Sequence, residues 1–219
     1  MLKLHGFAVS NYYNMVHLAL LEKGLAFETV TVYGSQDEAF LAISPRGKVP
    51  VLQTAHGYIS ETSAILDYLE ELGTGRPLLP AEPYARAQVR ALVKEIELYI
   101  ELPARTCYPE AFFRNPVDPA IKDKARADLQ AGIATLKRHG RFAPYVAGEQ
   151  FTLADLYFLY SIDLAEAVAQ RLFDFDLLAD FPAARALLQQ LQQNPHVQMI
   201  AAQKEAGMSA FMAFLKSKA

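Results

Sequence analysis

Cysteine occurs once, at Cys107, in a chain of 219 residues. A single thiol excludes a disulfide framework, a zinc ribbon and a C-x-x-C redox pair. No apolar run reaches the ~18 residues of a membrane-spanning helix. The opening MLKLHGFAVS has no apolar leader or cleavage signal, so a cytoplasmic protein is expected. The five histidines, His5, His17, His56, His139 and His196, never pair at helical spacing, and no metal site is expected. Neither G-x-x-x-x-G-K-[ST] nor G-x-G-x-x-G is present, which leaves phosphate and dinucleotide binding without support. A net charge of −3 gives no electrostatic case for nucleic acid or an anionic membrane. Lys122, Lys124 and Arg126 alternate with Asp123 and Asp128 and read as a solvated helix face. What is there suffices for a folded core: hydrophobic residues make up 52% and charged residues 21%, enough for one large or two small domains.

The chain divides near residue 80. Residues 1–73 switch between strand and helix. A short apolar strand over 2–7 leads to a helix over 12–23, and Gly24 takes the C′ position that glycine favours. The FETVTV run at 27–32 alternates with period two and predicts a second strand. A short helix over 37–43 is stopped by Ser44-Pro45. Strands around Val51 and Tyr58 and a helix over 62–72 complete a thioredoxin-like order, βαβ-α-ββα. The stretch GTGRPLLPAEP, with three prolines and two glycines, predicts a linker over 74–83. Residues 84–219 then show helical patterns only: 84–111 kinked near Pro103, 120–138, 153–170, 182–193, and 196 into the C-terminal region. Thr152-Leu153-Ala154-Asp155 has the spacing of a capping box.

The stretch with the most chemistry is SPRGKVPVLQTAHGYISETSAILDYL, residues 44–69. Pro50 opens a strand without an N–H, and X-Pro bonds are the ones that are readily cis. A cis bond there would leave the backbone N–H and C=O of Val49 free to pair with an extended ligand. Thr62 stands at a helix N-terminus, where unpaired N–H groups and the positive dipole end accept a carboxylate. Glu61 beside it can hold an ammonium. Carboxylate and ammonium on one carbon describe an α-amino acid head.

Val49-Pro50, Glu61-Thr62 and the AILDYL helix together resemble the glutathione-binding domain of the glutathione transferases, and the resemblance extends over nearly the whole chain. It implies a thioredoxin-like domain followed by an all-helical one. It implies glutathione as co-substrate, held at the cysteinyl backbone by Val49 and Pro50 and at the γ-glutamyl head by Glu61 and Thr62, with Lys48 and Gln36 towards the glycyl end. Members are usually two-fold dimers, expected here through 67–72 and 86–94.

Such an enzyme needs the thiolate, and a free thiol with a pKa of about 8.5 is only a few per cent ionised at pH 7. The AVSNYYN loop offers Ser10, Asn11, Tyr12 and Tyr13. Alignment of the VHLAL helix with the family places Ser10 on the serine of its theta- and zeta-like classes. Ser10 is therefore the expected thiolate donor, with Asn11 as a second. A plain helix-capping residue is the alternative for Ser10, and Tyr12 and Tyr13 either replace it or pack beneath the loop. The small hydrophobic electrophile would sit between the domains, against Tyr12, Tyr99, Arg105, Tyr108 and Phe112, with Phe211, Phe214 and Leu215 from the tail. Cys107 reads as a buried small hydrophobe. The expected function is conjugation of glutathione to small electrophiles. The alternatives are a glutathione-dependent disulfide reductase or peroxidase, a zeta-like cis-trans isomerase of an unsaturated diacid, and a non-catalytic scaffold.

Overall fold

The computed structural model describes residues 1–218 and forms two compact units, Met1–Leu78 together with the chain from Gln192 onward, and Leu79–Leu191. The first unit has the thioredoxin-like order: β1 (Leu2–Gly6), α1 (Asn11–Glu22), β2 (Phe27–Thr31), α2 (Glu38–Leu41), β3 (Val51–Thr54), β4 (Gly57–Ser60) and α3 (Thr62–Glu71). The sheet runs β2-β1-β3-β4, with β1 parallel to β2 and antiparallel to β3, and β3 antiparallel to β4. Helix α1 is buried almost all round: Met15, Val16, Leu18, Ala19 and Leu20 are fully buried, and so nearly are Asn14 and His17. It packs on α3 and on the last helix, α10 (Pro195–Lys218). The larger of these side chains, Met15, Val16, Leu18 and Leu20, each contribute roughly 1.5–3 kcal/mol on burial. Gly24 N–H to Leu21 O and Leu25 N–H to Leu20 O, both 3.0 Å, close α1 with the predicted glycine cap.

The second unit is helical: α4 (Pro83–Ile96), a π segment (Glu97–Glu101), α5 (Leu102–Thr106), α6 (Tyr108–Phe113), α7 (Pro119–His139), α8 (Leu153–Phe173) and α9 (Pro182–Gln192). Outside the named strands, the described residues form one isolated bridge, Tyr145 with Gly148. The long helix predicted over 84–111 is re-registered rather than simply kinked at Pro103. Proline has no N–H for the carbonyl four residues back, that of Tyr99, and the chain widens into the π segment just before it. Helix α7 comes so close there that a Cβ at Gly132 would overlap the Tyr99 carbonyl oxygen. The actual break falls at Cys107, between α5 and α6. The capping box is formed: Asp155, fully buried at the start of α8, accepts from Thr152 N–H at 2.7 Å, Thr152 Oγ at 3.1 Å and Val146 N–H at 2.9 Å. Helix α10 clusters with the first unit, not with the helices that precede it.

Candidate active site

The register of the sheet gathers four of the sequence-predicted segments at one end of the first unit. His5 pairs with Val51, so the turn after β1 lies beside the chain entering β3. Val51 pairs with Ser60, which puts Glu61 and Thr62 at that same end. Gly6 pairs with Thr31, bringing residues 33–36 there as well. Across the strands the order is Gln36, Ser10, Val49, Glu61.

Ser10 is the N-cap of α1, with extended backbone (φ −76°, ψ 119°) and its Oγ accepting from Tyr13 N–H at 3.3 Å. Its own N–H donates to Phe7 O at 3.0 Å. The hydroxyl therefore caps the helix with a lone pair and keeps its proton to donate, so capping and ligand binding are compatible. Asn14, which sequence reasoning did not single out, ties the turn down through Nδ2 to Ala8 O at 2.9 Å. Asn11 is buried as the first residue of α1, and Tyr12 follows it half-buried. Tyr13 is buried, and burial pushes its hydroxyl up to about 12; it packs under the turn.

Residues 44–48 approach β3 in a fixed conformation. Ser44, buried, donates through Oγ to Lys48 O at 2.7 Å and accepts from Lys48 N–H at 3.1 Å. This pair of hydrogen bonds to one residue is not legible in the sequence, where Ser44 reads only as a helix stop. Gly47 has φ 64°, and a Cβ there would overlap Ser35 O. Gln36 Nε2 spans the same gap, 3.4 Å from Arg46 O and 3.5 Å from Ser35 O. Lys48 is exposed, and Val49–Pro50 is cis. At the opposite edge Glu61 has φ 69° and ψ 120°, a conformation that costs a non-glycine residue roughly 1–3 kcal/mol. Its carboxylate makes no capping bond to α3 and is exposed, while Thr62 is buried at the first position of the helix.

Two of the electrophile-side candidates of the second unit, Arg105 and Tyr108, gather on one buried carboxylate. Glu101, fully buried, accepts from Arg105 Nε at 2.9 Å and Nη2 at 2.6 Å, and from Tyr108 OH at 3.3 Å to both oxygens. The Arg105 guanidinium lies 5.0 Å from the Tyr108 ring centroid, a cation–π distance. Tyr99 is 48% exposed. Cys107 is buried, which pushes its thiol up and makes it a poor nucleophile. Phe211 and Phe214 stack on rings of the first unit. An open cleft of about 400 Å³ in the second unit, lined by residues including Glu166, Phe175 and Arg185, contains none of the predicted site residues. No three His, Cys, Asp or Glu among the described residues are grouped to hold a metal ion. No helix among them is long and apolar enough to cross a membrane.

Residues 4–77 match the family model of the glutathione S-transferase N-terminal domain, and residues 119–190 that of the C-terminal domain. A glutathione S-transferase of Pseudomonas putida is 66% identical over 217 residues, covering 99% of each chain. A maleylpyruvate isomerase of Ralstonia is 29% identical over 200 residues, 85% of this chain and 90% of its own. The solved structure of glutathione transferase F2 from Populus trichocarpa shares the fold, with a TM-score of 0.80 at 20% identity, covering 94% of this chain and 100% of that one. The chain belongs to the glutathione S-transferase family of enzymes.

Proposed function

We propose that the chain binds glutathione across the end of its sheet, stabilises the thiolate through Ser10 and conjugates it to small electrophiles. The observation that supports the reading is the strand register, which brings the segments carrying Gln36, Ser10, Val49 and Glu61 to the same end of successive strands. Four strands at about 4.8 Å spacing span some 14 Å, close to the length of an extended tripeptide at about 3.5 Å per residue with its longer γ-linkage. Glu61 takes the ammonium and the N-terminus of α3, with Thr62, takes the carboxylate of the γ-glutamyl head. Val49 pairs with the cysteinyl backbone. Lys48 and Gln36 face the glycyl end. Asn11 assists Ser10 at the sulfur.

The chemistry follows from the Ser10 proton. A hydrogen bond to a charged group is worth roughly 1.5–3 kcal/mol, which lowers a thiol pKa by about one to two units. The thiolate then attacks the electrophile carbon, its lone pair forming the C–S bond as the leaving group departs with the bonding pair. Tyr12, Tyr99, Arg105 and Tyr108 belong to the electrophile side of this reading. A two-fold dimer through 67–72 and 86–94 is part of it, and exposed Leu72 in the first of these segments supports that. Ser10→Ala tests the assignment: turnover with an aromatic halide at pH 7 falls about tenfold, while the glutathione Kd stays near wild type. Wild-type turnover in that variant would pass the role to Asn11 or Tyr12.

A second reading, reversible thiolate addition that isomerises an unsaturated diacid, is favoured by the maleylpyruvate isomerase relative. It needs a cation for the substrate's second carboxylate. Arg105 is the candidate, although Glu101 already neutralises it. Activity on a cis-unsaturated diacid that is lost in Arg105→Ala would select this reading over conjugation.

A further inference from the structure

The inward residues of α10 recur at 197, 200, 204, 207, 211 and 214, steps of three and four that make one seam along the helix. Val197 and Ile200 are buried. From Lys204 onward the seam is only half-buried, and the positions between its members are exposed. The distal half of the helix therefore has little apolar burial to hold it, a mark of locally weak stability.

A set of rings helps to hold it. Phe211 stacks on Phe7, centroids 5.1 Å apart and planes 19° apart. Phe214 stacks on Tyr33 at 4.1 Å and 10°. Phe7 and Tyr33 meet at 4.9 Å, and Phe211 lies 6.3 Å from Tyr33. Between the seam's buried end and these rings, Gly207 rests against Ala8 and Val9 of the Ser10 turn, close enough that a Cβ there would touch the Ala8 side chain at 3.6 Å.

The two rings outside α10 stand at the shoulders of the glutathione site. The Phe7 carbonyl accepts the Ser10 N–H. Tyr33 opens the 33–36 loop, whose Gly34, Ser35 and Gln36 lie against Gly47 and Arg46 just before Val49–Pro50. We propose that α10 preorganises the glutathione site. Phe211 holds the sulfur-side turn through Phe7, and Phe214 holds the glycyl-side loop through Tyr33. This rests on the reading of the site given above. It moves the tail aromatics from the electrophile, where the sequence placed them, to glutathione. Phe211 and Phe214 are positioning residues. Ordering the two loops before the ligand arrives removes part of the entropy cost of binding.

The test measures glutathione affinity by calorimetry with no electrophile present, in the full chain and in Phe214→Leu, Phe211→Leu and Phe214→Tyr. Leucine keeps an apolar side chain and removes the stack; tyrosine restores it. Phe214→Leu is expected to raise the glutathione Kd roughly two- to tenfold, the worth of one stacked pair. Phe214→Tyr should bind as wild type does, and Phe211→Leu should raise the pKa of the bound thiol as well. An unchanged glutathione Kd with a raised electrophile KM would overturn the proposal and return these rings to the electrophile pocket. A lowered melting temperature with unchanged Kd would also overturn it, leaving a purely structural role. Glu61→Ala, measured alongside, separates the two levels. A raised Kd there with none in Phe214→Leu rejects the proposal alone, and an unchanged Kd in Glu61→Ala rejects the site reading beneath it.

Discussion

A serine hydroxyl has one proton and two lone pairs, and at Ser10 a lone pair is already committed to the Tyr13 N–H. Removing the hydroxyl should therefore cost about 1 kcal/mol of stability through the lost cap, apart from any effect on chemistry. Ser44 makes a sharper case, because both its bonds go to the backbone of Lys48. Ser44→Ala should cost about 2 kcal/mol of stability in urea unfolding. It should also raise the glutathione KM several-fold with kcat unchanged, and Ser44→Thr should restore most of both. An equal fall in kcat would show that Ser44 bears on the chemistry itself. The contrast between residues explains what was legible. Pro50 and Thr62 announce themselves, since proline at a strand start and threonine at a helix start are each tied to a local backbone geometry or a helix end. Ser44 does not: its partner is fixed by how the 44–48 loop closes, and a serine before a proline looks like any helix stop.

Elements were predicted well where a local pattern specified them and poorly where the partner lay far along the chain. Alternation found β2, and the glycine cap and the capping box found the ends of α1 and the start of α8. The π segment left no signal beyond Pro103, and the pair of buried Glu101 with part-exposed Arg105 at i,i+4 has the spacing of an ordinary surface pair. The seam of α10 was masked by apolar residues elsewhere on the helix, exposed Met199, Met208 and Met212 among them. A buried ion pair between Lys23, just past the end of α1, and Glu70 of α3 has no local pattern either, its partners being far apart along the chain. Lys23 Nζ lies 2.7 Å from Glu70 Oε1, both side chains under 5% exposed, and donates also to Arg76 O at 3.1 Å. Glu70 in turn accepts Leu78 N–H at 3.1 Å on each oxygen. Lys23→Met leaves that carboxylate buried without its cation and should cost about 3–5 kcal/mol. Adding Glu70→Gln, which keeps an acceptor for Leu78, should recover much of the loss. A double variant no better than the single one would mean the pair is worth little beyond packing.

For the whole molecule, part of the pH dependence of stability comes from groups whose burial opposes the charge they would carry in water. His17, 3% exposed among the rings of Tyr13 and Phe27, is lowered by burial from 6.5 to about 4. The neutral imidazole stabilises the fold above pH 6.5, and this contribution is lost as pH falls towards 4, by about 3 kcal/mol at 1.4 kcal/mol per pH unit. Asp155 works in the opposite direction: burial outweighs its hydrogen-bond donors and raises it from 3.8 to about 6, so its contribution is lost as pH rises through 6. The stability difference between wild type and His17→Leu, from melts at pH 7.5 and pH 4, isolates the histidine. It should change by about 3 kcal/mol, wild type faring relatively worse in acid; a constant difference would contradict the buried neutral imidazole.

We propose a thiolate held by Ser10 at the end of the sheet. An ultraviolet difference titration of bound glutathione, reading thiolate absorbance against pH, tests it most directly. The expected result is saturable binding with the thiol pKa about one to two units below the free value of about 8.5, returning towards that value in Ser10→Ala. A bound thiol that titrates at the free value in both proteins, or no binding at millimolar glutathione, would contradict the claim.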